Sequence, residues 1–378
     1  MSAPVPGPTP AHTPGSPIIP GAPIETDALV IGAGPVGLFL VFELGLLELG
    51  AQVVDALPHA GGQCAELYPA KPIYDIPGLP MVSGAELVER LQAQAAPFKP
   101  GWHLGQQVET LAPLPDGRWA VGTDRGSCFH ARSVFIAAGA GAFVPRSIAL
   151  EGLSAHVGRQ VLYAVDEPTA LAGRQVLILG DEDPALEQAI TLASLPPTQR
   201  PARTTLIHRR AQFRASPDTL ARFQALRGAG ALHFVAGQPQ ALLAAADAPD
   251  RLQALQLLPP EGDAVALPLD TLLIRLGLSP RLGPIADWGL ALERKQVPVD
   301  TARFETALPG VHAVGDINTY AGKRKLLLCG FYEATLAAYA AAERLRGAPV
   351  LLQYTTTSPR LHALLGVNAD GRQRPGDA

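Results

Sequence analysis

Apolar and polar positions follow two different periods along this chain, and each period marks a kind of element. Asp27-Ala28-Leu29-Val30-Ile31 is a short apolar run that reads as a buried strand. The turn Gly32-Ala33-Gly34-Pro35-Val36-Gly37 follows at once. Leu38 to Gly50 then places apolar residues at helical spacing, and Ala51-Gln52-Val53-Val54-Asp55 returns to a strand. Strand, glycine turn, helix and strand make a βαβ unit. The same layout returns from Arg174. Arg174–Leu179 is a strand, Asp183–Ala193 a helix and Thr204–Arg210 a strand, and Thr271–Gly277 closes the unit. Such a repeat is a duplicated nucleotide-binding half rather than a short solenoid repeat.

Between the two units, Trp119–Gly139 alternates as strands that end in a glycine turn. Val311–Asp316 predicts one more strand, leading into a helix over Lys325–Gly347, which Pro349 follows. Residues 1–24 are rich in Pro, Ala and Gly. With so little to bury they are expected to be disordered or extended as polyproline II.

Composition narrows the class. Of 378 residues, 47% are apolar and 17% charged, which allows a substantial core and excludes wholesale disorder. The length suggests two to three domains. A net charge of −4 argues against a general nucleic-acid binder. No uninterrupted apolar run is long enough for a membrane helix, and the N-terminus lacks the basic and apolar regions of a signal peptide. The default compartment is the cytoplasm. Three cysteines, Cys64, Cys128 and Cys329, form no C-x-x-C pair. A disulfide scaffold, a zinc ribbon and a dithiol redox motif are therefore not expected, and no metal site is read.

The first glycine turn fits G-x-G-x-x-G between a strand and a helix, with Asp55 closing the next strand. In that context it is a dinucleotide-binding fingerprint. Gly32 permits the tight turn, Gly34 lets the backbone approach a pyrophosphate, and Gly37 lets the helix pack close to its strand. The helix N-terminus offers N–H groups and partial positive charge to phosphates. The Asp55 carboxylate suits a ribose hydroxyl and disfavours a 2′-phosphate, so the turn fits FAD or NAD better than NADP.

Beyond Asp55 the chain reads HAGGQCAELYPAKPIYDIPGLP, and later GAFVPR, LIHRRAQFR, GDINTYAGKRKLLLCGFYEA and QYTTTS. Together these segments resemble the thioredoxin-reductase-like class of ferredoxin–NADP reductases from about Asp27 to about Val367. The resemblance implies an α/β fold of two three-layer Rossmann-like dinucleotide-binding domains, the NADPH domain inserted in the FAD domain. The FAD domain is expected over 25–160 and 284–378, and the NAD(P)H domain over 161–283. It implies FAD and NADPH, a ferredoxin or similar iron–sulfur partner, and a homodimer. Gly32, Gly34 and Gly37 would hold the pyrophosphate and Asp55 the adenosine ribose. Gln63 would lie near the flavin and Tyr68 would pack on its ring. Val108 and Phe143 would line the adenine or flavin pocket, and Asp316 would bind the ribityl chain. Tyr354, with Thr355 and Thr356, would cover the other flavin face from the partner subunit. Thioredoxin reductases share much of this pattern, but disulfide reduction by their route needs the C-x-x-C that this chain lacks.

The second glycine turn departs from the pattern. Gly180-Asp181-Glu182-Asp183-Pro184-Ala185 keeps the first glycine and the last small residue, but Glu182 replaces the middle glycine. A carboxylate there obstructs and repels a pyrophosphate. The three acids are expected to satisfy the helix dipole themselves. The other half of the expected site survives as His208-Arg209-Arg210 and Arg214, whose charge and forked geometry suit a 2′-phosphate. The basic segment Lys323-Arg324-Lys325, with Lys71 and Arg146, can attract an acidic ferredoxin or serve only as a solvated face. Two other readings stay open at this stage. One is a flavoenzyme with a different electron donor, and the other is a non-enzymatic flavin redox sensor.

Overall fold

A computed structural model describes residues 22–165, 167–350, 358–368 and 370–372. Most of the Pro/Ala-rich segment 1–24 and the predicted Tyr354, Thr355 and Thr356 lie outside the described residues. The chain divides into two units. The first is Met1–Ala142 with Arg281–Ala378, and the second is Phe143–Pro280.

The first unit begins with β1 (Ile24–Ile31), α1 (Pro35–Leu46) and β2 (Ala51–Asp55). Next come α2 (Gly62–Glu66), the short antiparallel pair β3 (Pro72–Ile73) and β4 (Val82–Ser83), and α3 (Gly84–Ala95). Then follow β5 (Gly101–Leu104), β6 (Val108–Pro113), β7 (Trp119–Thr123) and β8 (Cys128–Ile136). The chain leaves through β9 (Ala142–Pro145). The second unit holds β10 (Val161–Leu162), β11 (Gln175–Leu179), α4 (Asp183–Ser194), β12 (Arg203–His208), α5 (Pro217–Gly228) and β13 (His233–Ala236). It continues with β14 (Gln238–Ala245), β15 (Ala248–Leu258), β16 (Val265–Pro268) and β17 (Thr271–Ile274), and the chain returns through β18 (Leu278–Arg281). The first unit is completed by β19 (Val297–Pro298), β20 (Val311–Ala313), β21 (Asn318–Thr319), α6 (Leu327–Arg346) and α7 (Pro359–Leu365).

Each unit is built on five parallel strands in one spatial order. In the first the order is β5-β2-β1-β8-β20, and in the second it is β13-β12-β11-β17-β10. In each, an antiparallel excursion links two of the parallel strands, β5 to β8 in the first unit and β13 to β17 in the second. It is β6 and β7 in the first unit and β14, β15 and β16 in the second. The fifth strand has a different origin in the two. β10 precedes the βαβ segment of its unit, whereas β20 enters from chain that follows the whole second unit.

β1 starts at Ile24, three residues before the strand expected from Asp27, because β8 is long enough to pair with it from Ile24 opposite Phe129 to Ile31 opposite Ile136. α1 is apolar around most of its circumference, and this follows from its place against α3 and α6. The face α6 buries is Ala334, Ala337, Ala338, Ala341 and Ala342. Such small side chains let two helices approach closely. α3 opens on Ser83, whose hydroxyl accepts from Glu86 N at 3.2 Å, and buries Leu87, Val88 and Leu91.

Candidate functional site

The turn between β1 and α1 shows why three glycines stand there, each for its own reason. Gly32 has φ +111°, and a Cβ on it would lie 2.5 Å from Ala137 O. A Cβ on Gly37 would strike Gly32 O, so this glycine brings the helix against its strand. Gly34 differs, because a Cβ there would meet only Gly62 Cα, at 4.0 Å. Its backbone is in an ordinary extended conformation (φ −71°). Neither strain nor packing demands a glycine at 34, so what the missing side chain provides is room over the start of α1. No side chain caps that helix start, and Pro35 occupies its first turn. Uncapped N–H groups beneath open space form an anion cradle that a side chain would fill.

Asp55 ends β2 beside this turn. One carboxylate oxygen accepts from Ala33 N at 2.6 Å and the other from Leu57 N at 2.8 Å. Burial pushes its carboxyl above the usual aspartate value, against the opposing effect of those two N–H donors. Each oxygen keeps a second acceptor site, so a hydroxyl can still be bound.

The Gly315–Ile317 turn meets the same end of α1. Val36 packs against Gly315, and a Cβ on Gly330 of α6 would collide with Val36 at 2.5 Å. Asp316 is half-buried, and its side chain has no hydrogen-bond donor from the protein among the described residues. It does not cap a helix, since α6 starts only at Leu327. The turn is fixed by a residue the sequence reading missed. Glu333 is fully buried and accepts from Gly315 N (2.7 Å), Asn318 Nδ2 (2.8 Å) and Tyr320 Oη (2.9 Å). It also pairs with Lys323, whose ammonium donates to Gly315 O at 2.8 Å. A buried carboxylate persists only when its lone pairs are taken up in this way. Burial, and then Glu333, push the Tyr320 phenol up from its ordinary value. The side chain of Lys323 is only 8% exposed, so it is withdrawn from the basic surface segment in which it was grouped. Arg324 and Lys325 remain exposed.

Gln63 lies on α2, with its amide near Gly139, and Tyr68 follows that helix. Tyr68 is half-exposed and carries Lys71 Nζ 5.0 Å from its ring centroid, and Tyr74 is more exposed still. Val108 is buried with Leu29, Val54 and Val121 in the packed cluster on its sheet. The side chain of Phe143 lies outside the described residues. Gly32, Gly34, Gly37, Asp55 and Asp316 are therefore brought round one helix end, while Val108 belongs to the core.

The second turn differs in what fills it. Gly180 (φ +156°) keeps the close approach, for a Cβ there would lie 2.5 Å from both Ala185 Cβ and Arg275 O. Glu182 occupies the N-cap position of α4 without a side-chain hydrogen bond to the helix, and of the three acids Asp183 stands in its first turn. The acids are turned to the loop after β12. Asp181 takes the Arg214 fork, with Nε to Oδ2 at 2.8 Å and Nη2 to Oδ1 at 3.2 Å. Glu182 Oε1 lies 3.0 Å from Arg214 Nη2. Asp183 accepts from Ser216 N at 3.0 Å. Arg214 holds the Asp181 carboxyl below the usual range, and the Ser216 N–H does the same for Asp183. Arg209 and Arg210 are exposed and form no side-chain hydrogen bond or ion pair among the described residues, and the Arg209 charge adds to the depression of the Asp181 carboxyl. The second turn therefore does not offer the open cradle of the first.

None of the three free cysteines is bonded to another, and the described residues hold no cluster fit for a metal ion. Among them, no helix is long and apolar enough to cross a membrane.

Two sets of five parallel strands, each with a glycine turn opening a helix, define a protein of two Rossmann-like units. The profile of the pyridine nucleotide-disulphide oxidoreductases matches residues 26–344, and the chain belongs to that family. It is 59% identical over 352 residues to a ferredoxin–NADP reductase of Paracidovorax citrulli, covering 92% of this chain and 98% of that one. A ferredoxin–NADP reductase of Acidovorax sp. is 56% identical over 345 residues, with 91% and 96% covered. Among solved structures, thioredoxin reductase from T. acidophilum superposes with TM-score 0.54 at 19% identity, over 85% of this chain and 99% of that one. A bacillithiol disulfide reductase from Staphylococcus aureus does so with TM-score 0.58 at 12% identity, over the same shares. At such identities the likeness is one of fold.

Proposed function

We propose that this chain is an FAD-dependent ferredoxin–NADP reductase, with FAD in the first unit and NADPH in the second. The observation that carries the reading is the open, uncapped helix start over Gly34 beside the uncommitted carboxylate of Asp316. The naming of relatives more than half identical over nine-tenths of the chain supports it.

The first unit fits FAD. Gly32, Gly34 and Gly37, with the α1 N-terminus, hold the pyrophosphate, and Asp55 holds the adenosine ribose. Asp316 takes the ribityl hydroxyls on a turn that Glu333 fixes. Gln63 stands near the flavin edge, and the exposed ring of Tyr68 is free to stack on it. The bound flavin supplies the exchange between a hydride and single electrons, and the chain supplies position, shielding and charge. Gly180, Arg209, Arg210 and Arg214 belong to the NADPH side. Ferredoxin is the electron partner. The protein works as a homodimer in which Tyr354, Thr355 and Thr356 of one subunit cover the other's flavin.

Purified protein should be yellow and bleach when NADPH is added anaerobically, and should then reduce a ferredoxin. A flavin that stays oxidised through long incubation with NADPH sinks the reading. Glu182 favours one alternative, a reductase of this fold with another electron donor. In that case reduced ferredoxin bleaches the flavin and NADPH does not.

A further inference from the structure

The second turn sits where α4 begins, at the carboxyl end of β11, between its neighbours β12 and β17. In a sheet of this order the strand sequence reverses between β11 and β17, and ligands lie in the crevice outside those strand ends. Glu182 spans that crevice. Its Oε1 pairs with Arg214, on the loop after β12, and its Oε2 lies 3.4 Å from the position of a Cβ on Gly277, after β17. Arg214 is tied down twice more, by its fork to Asp181 and by its backbone N–H to Asp181 O at 2.7 Å. His208 Nε2 stands 3.7 Å from the same Asp181 carboxylate. A diphosphate entering here meets three carboxylates and an arginine whose Nε and Nη2 are already engaged.

We propose that Glu182 is a specificity-determining residue of the pyridine-nucleotide site, resting on the NADPH reading above. It latches Arg214 across the turn, so that a nucleotide binds through its 2′-phosphate while its diphosphate adds little affinity. The 2′-phosphate is a monoester dianion and meets Arg209 and Arg210, which are exposed and form no side-chain hydrogen bond or ion pair among the described residues, although the Arg209 charge acts on Asp181. The diphosphate must displace the Glu182 carboxylate and break its pair with Arg214 before reaching the turn's N–H groups. Replacing Glu182 by glycine removes the obstacle, and replacing it by glutamine removes the charge while keeping the bulk.

The test is calorimetric titration of the intact flavoprotein with adenosine 2′-monophosphate, which has no diphosphate, and with NADP⁺, which has both groups. In the unaltered protein the two affinities should fall within about tenfold of each other. Glu182→Gly should tighten NADP⁺ by about tenfold or more, Glu182→Gln by a smaller factor, and both should move the monophosphate by less than about threefold. The proposal is overturned if NADP⁺ already binds more than about a hundredfold tighter than the monophosphate, or if Glu182→Gly leaves NADP⁺ affinity unchanged. If neither nucleotide binds any variant while the flavin stays bound and is reduced by dithionite, NADPH is not the donor. The proposal then falls with that reading.

Discussion

Gly34 and Gly37 stand three residues apart in one motif, the first expected to make room for a pyrophosphate and the second to let the helix pack on its strand. The structure separates them. A methyl on Gly37 enters the Gly32 carbonyl, whereas a methyl on Gly34 enters open space. Gly37→Ala should destabilise the protein by roughly 1–3 kcal/mol, as overpacking does. Gly34→Ala should leave the unfolding free energy of the flavin-free protein within about 0.5 kcal/mol of its parent. It should nevertheless weaken FAD by about tenfold or more in a fluorescence titration. Equal effects of the two substitutions on stability would show that Gly34 packs rather than makes room. Asp316 lies on its Gly-Asp turn well ahead of α6, which starts only at Leu327. Glu333 left a faint trace, a lone acid among the small residues Gly330, Ala334, Ala337 and Ala338 that α6 buries. A charge on a buried stripe announces a partner, but sequence spacing does not say that the partner is the turn at Gly315.

At the scale of elements, β20 carries the clearest pH signature. Its central residue, His312, is buried, stacks on Phe135 of β8 at 5.0 Å between ring centroids, and has Nδ1 3.1 Å from Arg303 O. Burial holds its pKa down at about 4, against the helping effects of the Arg303 carbonyl and Glu305 and with Arg344 adding to the depression. The unfolded chain binds that proton near the ordinary histidine value and the folded chain does not. Stability is therefore fully present above the ordinary value and is lost as pH falls from there to about 4. The expected loss is about 3 kcal/mol. Denaturant unfolding across that range checks it, and His312→Phe should flatten this limb of the profile. If the variant keeps the same slope, the acid sensitivity arises elsewhere. Periodicity located β20, but a three-residue strand does not reveal which sheet it joins. Its pairing with Val134–Ile136 of β8 follows from the part of β8 that β7 leaves unpaired.

The molecule as a whole is two units with separate cores. The two apolar clusters of the first draw only on residues before Ala142 and after Arg281, and the two clusters of the second lie within Phe143–Pro280. Cores that share no residues can unfold separately. Urea unfolding followed by circular dichroism should resolve into two transitions, with flavin absorbance following one alone. FAD at about a hundred times its Kd should stabilise that transition by about 3 kcal/mol and leave the other in place. A single transition that FAD shifts entire would show that the units unfold together.

The sequence by itself determined the two βαβ halves, the glycine turns and the acid closing β2. These depend on local periodicity and on backbone conformations that only certain residues adopt. It also carried the warning at Glu182, because a side chain in place of a required glycine needs no fold to be noticed. What surrounds Glu182 came only from tertiary structure. That Arg214 returns to the turn, that Lys323 is buried against Glu333, and that β20 completes a sheet begun far earlier in the chain are all meetings between distant segments. Such meetings are fixed by how sheets and helices stack, and a spacing along the chain does not encode them.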